Sequence, residues 1–241
     1  MANPILNDRF TEQERVINAE PMTINGTIQV TLFLGMLMLA SAAYVWMKFT
    51  QGFMDMAVML TGIGGIVGFI TALIVSFTRN KVLVPVYAVC EGLFLGGISA
   101  TFEASYPGIV IQAVVGTFAA LFSMLVLYRM GLIKCSDKFR SVIFIATASI
   151  AVVYLVNFIG SFFGLHVPLI NASSGAGIAI SAGICVIAAL NLIIDFDFIE
   201  RGAQYMLPKD YEWYGAFGLM VTIVWLYLEI VRLLAKLSDR R

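Results

Sequence analysis

Seven stretches of the chain, roughly 27–49, 55–78, 82–103, 107–129, 140–164, 174–199 and 212–236, are long apolar runs with few charges inside them. A helix needs about 20 apolar residues to cross a hydrocarbon core, where each backbone N–H and C=O must be satisfied within the segment itself. Composition agrees: 60% of residues are hydrophobic and only 12% charged, about half the share of charge that a soluble domain carries. The ten-residue segments of alternating polarity that mark a membrane barrel do not occur. The chain therefore reads as an all-α membrane protein, a bundle of seven transmembrane helices. Its connectors are short and polar, which predicts a single seven-helix membrane domain over 27–237 behind a cytoplasmic amino-terminal tail at 1–26.

Orientation follows from Lys and Arg in the connectors. With the amino terminus inside, Arg9, Arg15, Arg79, Lys81, Arg129, Lys134, Lys138, Arg140, Arg201 and Lys209 fall on the inner side, against Lys48 alone outside. The first 25 residues are mixed polar and lack the apolar core of a signal peptide, so the first apolar segment is expected to remain as an anchor. The seventh segment breaks the pattern. A full crossing puts Arg232, Lys236, Arg240 and Arg241 outside, whereas a re-entrant or shallow helix would keep them inside. Basic and acidic residues cancel at 15 each, so no overall field favours nucleic acid. Cys90, Cys135 and Cys185 are scattered and offer neither a disulfide framework nor metal-ligand spacing.

Small residues recur four apart, at Gly64 and Gly68, Gly92 and Gly96, and Gly160 and Gly164. That spacing lets two helix backbones approach closely, and tight packing is the simplest reading of all three pairs.

Ionisable groups inside the apolar runs are the informative exceptions. A carboxylate at bilayer depth costs roughly 2.5–3.5 kcal/mol on insertion scales, so it is turned inward and tied to function. Glu91, Asp195 and Glu229 qualify, each with apolar residues on both sides. Two positions on a helix differ by about 200°, so Asp195 and Asp197 face nearly opposite ways. Asp195 is the expected buried member, with Asn191 one turn away as a hydrogen-bond partner. Asp197 and Glu200 are expected at the inner polar boundary with Arg201. Glu229 has Arg232 three residues on, within reach of an intrahelical ion pair. Two buried carboxylates brought close cannot both ionise cheaply and titrate as a unit. Such a pair on a polar path senses pH and suits a hard cation such as calcium.

The stretches EGLFLGGIS (91–99), AALNLIIDFDFIERG (188–202) and EWYGAFGLMVTIVWLYLEIVRLL (212–234), with the opening MANPIL, resemble the bacterial branch of the transmembrane Bax inhibitor motif family over nearly the whole chain. The resemblance implies seven helices with the last surrounded by the others, set in the bacterial cytoplasmic membrane, and a pH-sensitive calcium leak. It also implies an acidic pair on the sixth and seventh helices. On the family's motifs Asp195 matches the first acid, and Glu229, in Leu226-Tyr227-Leu228-Glu229, the second. This chain has Glu where the family has Asp at the second position, and a longer connector between the two acids.

Three function classes follow. The first is a pH-sensitive cation leak channel, with calcium as the permeant ion, Asp195, Glu229 and Glu91 on its pathway, and Asn191, Arg232 and Asp197 as helpers. The second is an intramembrane aspartyl protease, but the Gly-x-Gly-Asp motif of such enzymes is absent. The third is a non-transporting membrane regulator of a protease or stress-response partner, in which the acids are structural. A serine hydrolase lacks support, because His166 is the only histidine and Ser173-Ser174 sits in a Gly-rich connector without a nucleophile elbow. The chain is thus expected not to be an enzyme, to need no cofactor, and to meet lipid, cations and a membrane protein partner but no nucleic acid.

Overall fold

In the computed structural model, which describes residues 20–164 and 174–240, seven helices account for most of the described residues. They are α1 (Ile24–Thr50), α2 (Met54–Thr78), α3 (Leu83–Ser105), α4 (Ile109–Arg129), α5 (Asp137–Phe162), α6 (Gly175–Gln204) and α7 (Tyr211–Ser238). All seven are long and apolar enough to cross a membrane. Among the described residues the one extended pairing is an isolated bridge between Pro21 and Pro208. Arg9, Arg15, His166, Ser173 and Arg241, which the sequence analysis named, lie outside the described residues.

Helix ends differ from the apolar runs where capping, not hydropathy, decides them. Thr23 caps α1, its Oγ accepting from Gly26 N at 2.9 Å, so the helix starts three residues before the apolar run does. Ser136 caps α5 in the same way, accepting from Phe139 N at 3.2 Å. α6 runs five residues past the expected end at 199, to Gln204. Its added turn carries Arg201, which pairs back to Asp197 four residues earlier and so supports helix beyond the apolar window. α7 is unbroken over 28 residues, about 42 Å at 1.5 Å per residue.

The chain forms two compact units, one from residues up to Gly97 with Asp197–Met220, the other from Ile98–Phe196 with the chain from Val221 on. In the first, glycines set the helix spacing. A Cβ at Gly64 would lie 2.6 Å from the Cys90 carbonyl and 2.8 Å from Leu93 Cβ. One at Gly92 or Gly96 would overlap the α1 backbone at Met38 and Ala42, and one at Gly97 would overlap Thr61. These positions confirm two of the three glycine pairs as close-packing sites on α2 and α3. Gly164 is a different case. Its φ is +72° and nothing approaches a Cβ there within 4 Å, so it serves the turn after α5 and packs no helix.

The same unit holds a strap. Met22 N donates to Leu207 O at 2.7 Å and Lys209 N to Glu20 O at 3.0 Å, and Lys209 pairs with Glu20. Met22 is buried, its sulfur against Gly202. The hydrogen bond and charge of Lys209 hold the Glu20 carboxyl below its ordinary range. Glu212, at the start of α7, accepts from both Thr23 N and Thr23 Oγ at 2.9 Å. The amino-terminal end of α1 is thereby fixed to that of α7.

Burial is uneven. α3, α6 and α7 bury the largest shares of their apolar spans, whereas α5 buries almost none. Exposed Leu32, Phe69, Phe77, Ile111, Phe144 and Phe158 leave apolar surface that requires lipid around it.

Candidate functional site

The second unit brings α5, α6 and α7 together along a polar seam. On α7, Thr222, Glu229 and Lys236 recur every seven residues, so they line one face within about 40°. On α6, Ser181 and Asp195 are fourteen apart and share a face for the same reason. Thr222 makes a side-chain hydrogen bond to Asp195, and Lys236 Nζ donates to Ser181 Oγ at 2.7 Å. Both contacts join residues whose numbers add to 417. That is the signature of two antiparallel helices in constant register. The contacts are therefore about 21 Å apart along the seam, with Glu229 midway between them.

Glu229 is 1% exposed and almost fully satisfied. Tyr154 of α5 places its hydroxyl 2.9 and 2.8 Å from the two carboxylate oxygens. Trp225 Nε1 donates at 3.2 Å and Arg232 Nη1 at 3.1 Å. The intrahelical pair with Arg232 is present as the three-residue spacing predicts, and the Arg232 guanidinium also lies over the Tyr154 ring at 5.1 Å. An ionised carboxylate taken out of water costs several kcal/mol unless such donors surround it, which is the physical need these three meet. Tyr154 and Trp225 were missed by sequence reasoning. Trp225 sits one turn before Glu229 and was within its reach, but Tyr154 lies 75 residues away and carries no local signal.

Asp195 is the opposite case. Its Oδ2 is the one buried side-chain nitrogen or oxygen among the described residues that has no hydrogen-bond partner. Asn191 does not fill the gap. Its amide donates to Thr147 Oγ1 and to Ile187 O, both at 2.9 Å, so the expected Asn191–Asp195 bond is replaced by a bond to α5. Nor are Asp195 and Glu229 hydrogen-bonded to each other. Thr222 and Glu229 are two helical turns apart, which separates the acids by about 10 Å along α7.

The remaining candidates belong to the first unit. Asp197 is buried and Arg201 Nε straddles its oxygens at 3.0 and 2.9 Å. The expected pairing with Arg201 is there, although the carboxylate is less exposed than a boundary position implies. Glu91 is part-buried, with Oε2 3.1 Å from where a Gly68 Cβ would sit. It thus faces α2, and among the described residues it makes no hydrogen bond or ion pair. Glu212, 4% exposed, is a buried acid that sequence reading passed over. Among the described residues no group of three or more His, Cys, Asp or Glu could hold a metal ion.

Residues 3–239 match the family described as Bax inhibitor 1 like. The chain belongs to that family. No curated protein matches it closely enough to count as a relative.

Proposed function

We propose that this protein is a pH-sensitive cation leak pathway, with calcium as the permeant ion, running along the seam between α5, α6 and α7. One observation carries the reading: the buried Asp195 oxygen that has no hydrogen-bond donor. Protein interiors rarely leave such an atom unsatisfied, because the lost hydrogen bond costs on the order of 1–3 kcal/mol, more for a charged group. A proton, a water or a hard cation would complete it, and these are the species such a pathway handles. Glu229 supplies a second carboxylate midway along the seam, held by Tyr154, Trp225 and Arg232. Because the two acids are about 10 Å apart along the helix, we infer that they act in series and not as a proton-sharing dyad. Glu91, on α3 against Gly68, is proposed as a further pathway acid.

The connector charges support an amino terminus and a 129–140 connector on the cytoplasmic side of the bacterial inner membrane. The test of function is calcium flux into proteoliposomes at several pH values, with the acids substituted one at a time. Flux in the wild type that Asp195→Asn alters supports the pathway. Absence of flux with a stably captured membrane protein partner would favour a regulatory role instead.

A further inference from the structure

α5 is the helix held least by burial. Its apolar window is 6% buried, against 39% for α6 and 44% for α7. In lipid, moving such a helix aside exposes no apolar surface to water, so packing and hydrogen bonds are what resist the movement. Two of those bonds leave one face of α5, because Thr147 and Tyr154 are two helical turns apart. They end on different helices. Thr147 Oγ1 accepts from Asn191 Nδ2 of α6 at 2.9 Å, and the Tyr154 hydroxyl shares its hydrogen between the two oxygens of Glu229 on α7 at 2.9 and 2.8 Å. α5 therefore lies across the α6–α7 seam. Each seam partner also keeps a bond inside its own helix. Glu229 accepts from Trp225 Nε1 at 3.2 Å and Arg232 Nη1 at 3.1 Å, and the Asn191 amide donates to Ile187 O at 2.9 Å. Withdrawal of α5 thus leaves neither group stranded, which is the costly outcome when a buried polar contact is broken.

We propose that α5 is the moving wall of the pathway and that Tyr154 is the catch that holds it against the seam. The proposal rests on the pathway reading given above. Tyr154 is a positioning residue in this scheme: its bond to Glu229 sets how often α5 stands away from α6 and α7. Asp195, where the pH response is placed, has no part in that bond. Loosening the catch therefore changes the amount of flux and leaves its dependence on pH.

The experiment compares wild type, Tyr154→Phe, Thr147→Val and Ser149→Ala in proteoliposomes. Ser149 is the control, an exposed α5 residue whose hydroxyl donates to Ile145 O of its own helix. Calcium flux is measured against pH. The separation of α5 from α6 is measured by electron spin resonance between labels on cysteines placed at the exposed Val152 and Val186 in a cysteine-free background. One hydrogen bond between membrane helices is worth roughly three- to tenfold in an equilibrium. Tyr154→Phe should raise flux by about that factor, keep its pH response and add a longer label distance to that of wild type. Thr147→Val should shift both readouts in the same direction through the other tie, and Ser149→Ala should shift neither. Label distances that stay unchanged in both Tyr154→Phe and Thr147→Val would overturn the moving wall, whether or not flux rises. A fall in flux, or a lost pH response, in Tyr154→Phe would overturn its role as the catch. If neither wild type nor any variant conducts calcium, the pathway reading fails, and the label distances still decide whether Tyr154 holds α5.

Discussion

At the scale of single residues, polar groups are either closed or open, and the two kinds have different consequences. Thr23 is closed: one hydroxyl caps α1 and also binds Glu212. Thr23→Ala should lower stability by roughly 1–2 kcal/mol through the lost cap and an under-bonded buried carboxylate, while Thr23→Ser should stay near wild type. Denaturant unfolding in detergent measures the difference. Glu91 is open, facing Gly68 with no hydrogen bond among the described residues. Glu91→Gln should keep the fold and alter calcium flux, and unchanged flux with unchanged stability would remove Glu91 from the pathway. Much of this layer was legible beforehand. Asp195 and Glu229 stood out because acids are costly in apolar runs, and the opposed faces of Asp195 and Asp197 follow from helical geometry alone. The partners were not legible, since Tyr154, Thr147 and Ser181 reach the seam only through tertiary packing. Glu212 carries no such signal, because it stands at the very start of the seventh apolar run, where an acid costs little.

At the scale of elements, glycine and capping residues decide how the helices meet and where they stop. Gly92 and Gly96 let α3 lie directly on the α1 backbone. Gly96→Leu should therefore cost roughly 1–3 kcal/mol or more through overpacking, whereas Gly164→Asn, in a left-handed turn with open space, should cost far less. Thermal unfolding of the purified variants ranks them. The strap between Glu20 and Lys209 responds to pH in a defined direction. The Glu20 carboxyl is lowered in the folded chain, so its contribution is present above the ordinary carboxylate range and is lost as pH falls below that range through the lowered folded value. Amide exchange at Lys209, whose N–H is held by Glu20 O, should accelerate in acid beyond the intrinsic change. Both helix number and the close glycine pairs could be read from hydropathy and spacing. The extra turn of α6 could not, because it is stabilised by the Asp197–Arg201 pair and lies beyond the apolar window.

At the scale of the whole molecule, seven helices long and apolar enough to cross a membrane, together with the family match, define a multi-pass membrane protein of the Bax inhibitor 1 like family. A cysteine introduced at Lys134 on a cysteine-free background should resist labelling from outside intact cells, and efficient labelling would reverse the proposed orientation. On the proposed pathway, the register of α6 against α7 sets an open carboxylate at Asp195, a satisfied one at Glu229 and the Lys236 ammonium along a single seam. The most direct test is calcium flux into proteoliposomes as a function of pH for wild type, Asp195→Asn, Glu229→Gln and Asp197→Asn. Asp195→Asn should leave flux that varies little between pH of about 5 and 8, Glu229→Gln should change the amount of flux and keep its pH response, and Asp197→Asn should stay close to wild type because it faces the other way. Loss of the pH response in Asp197→Asn, with an intact response in Asp195→Asn, would contradict the assignment of the pathway to this seam.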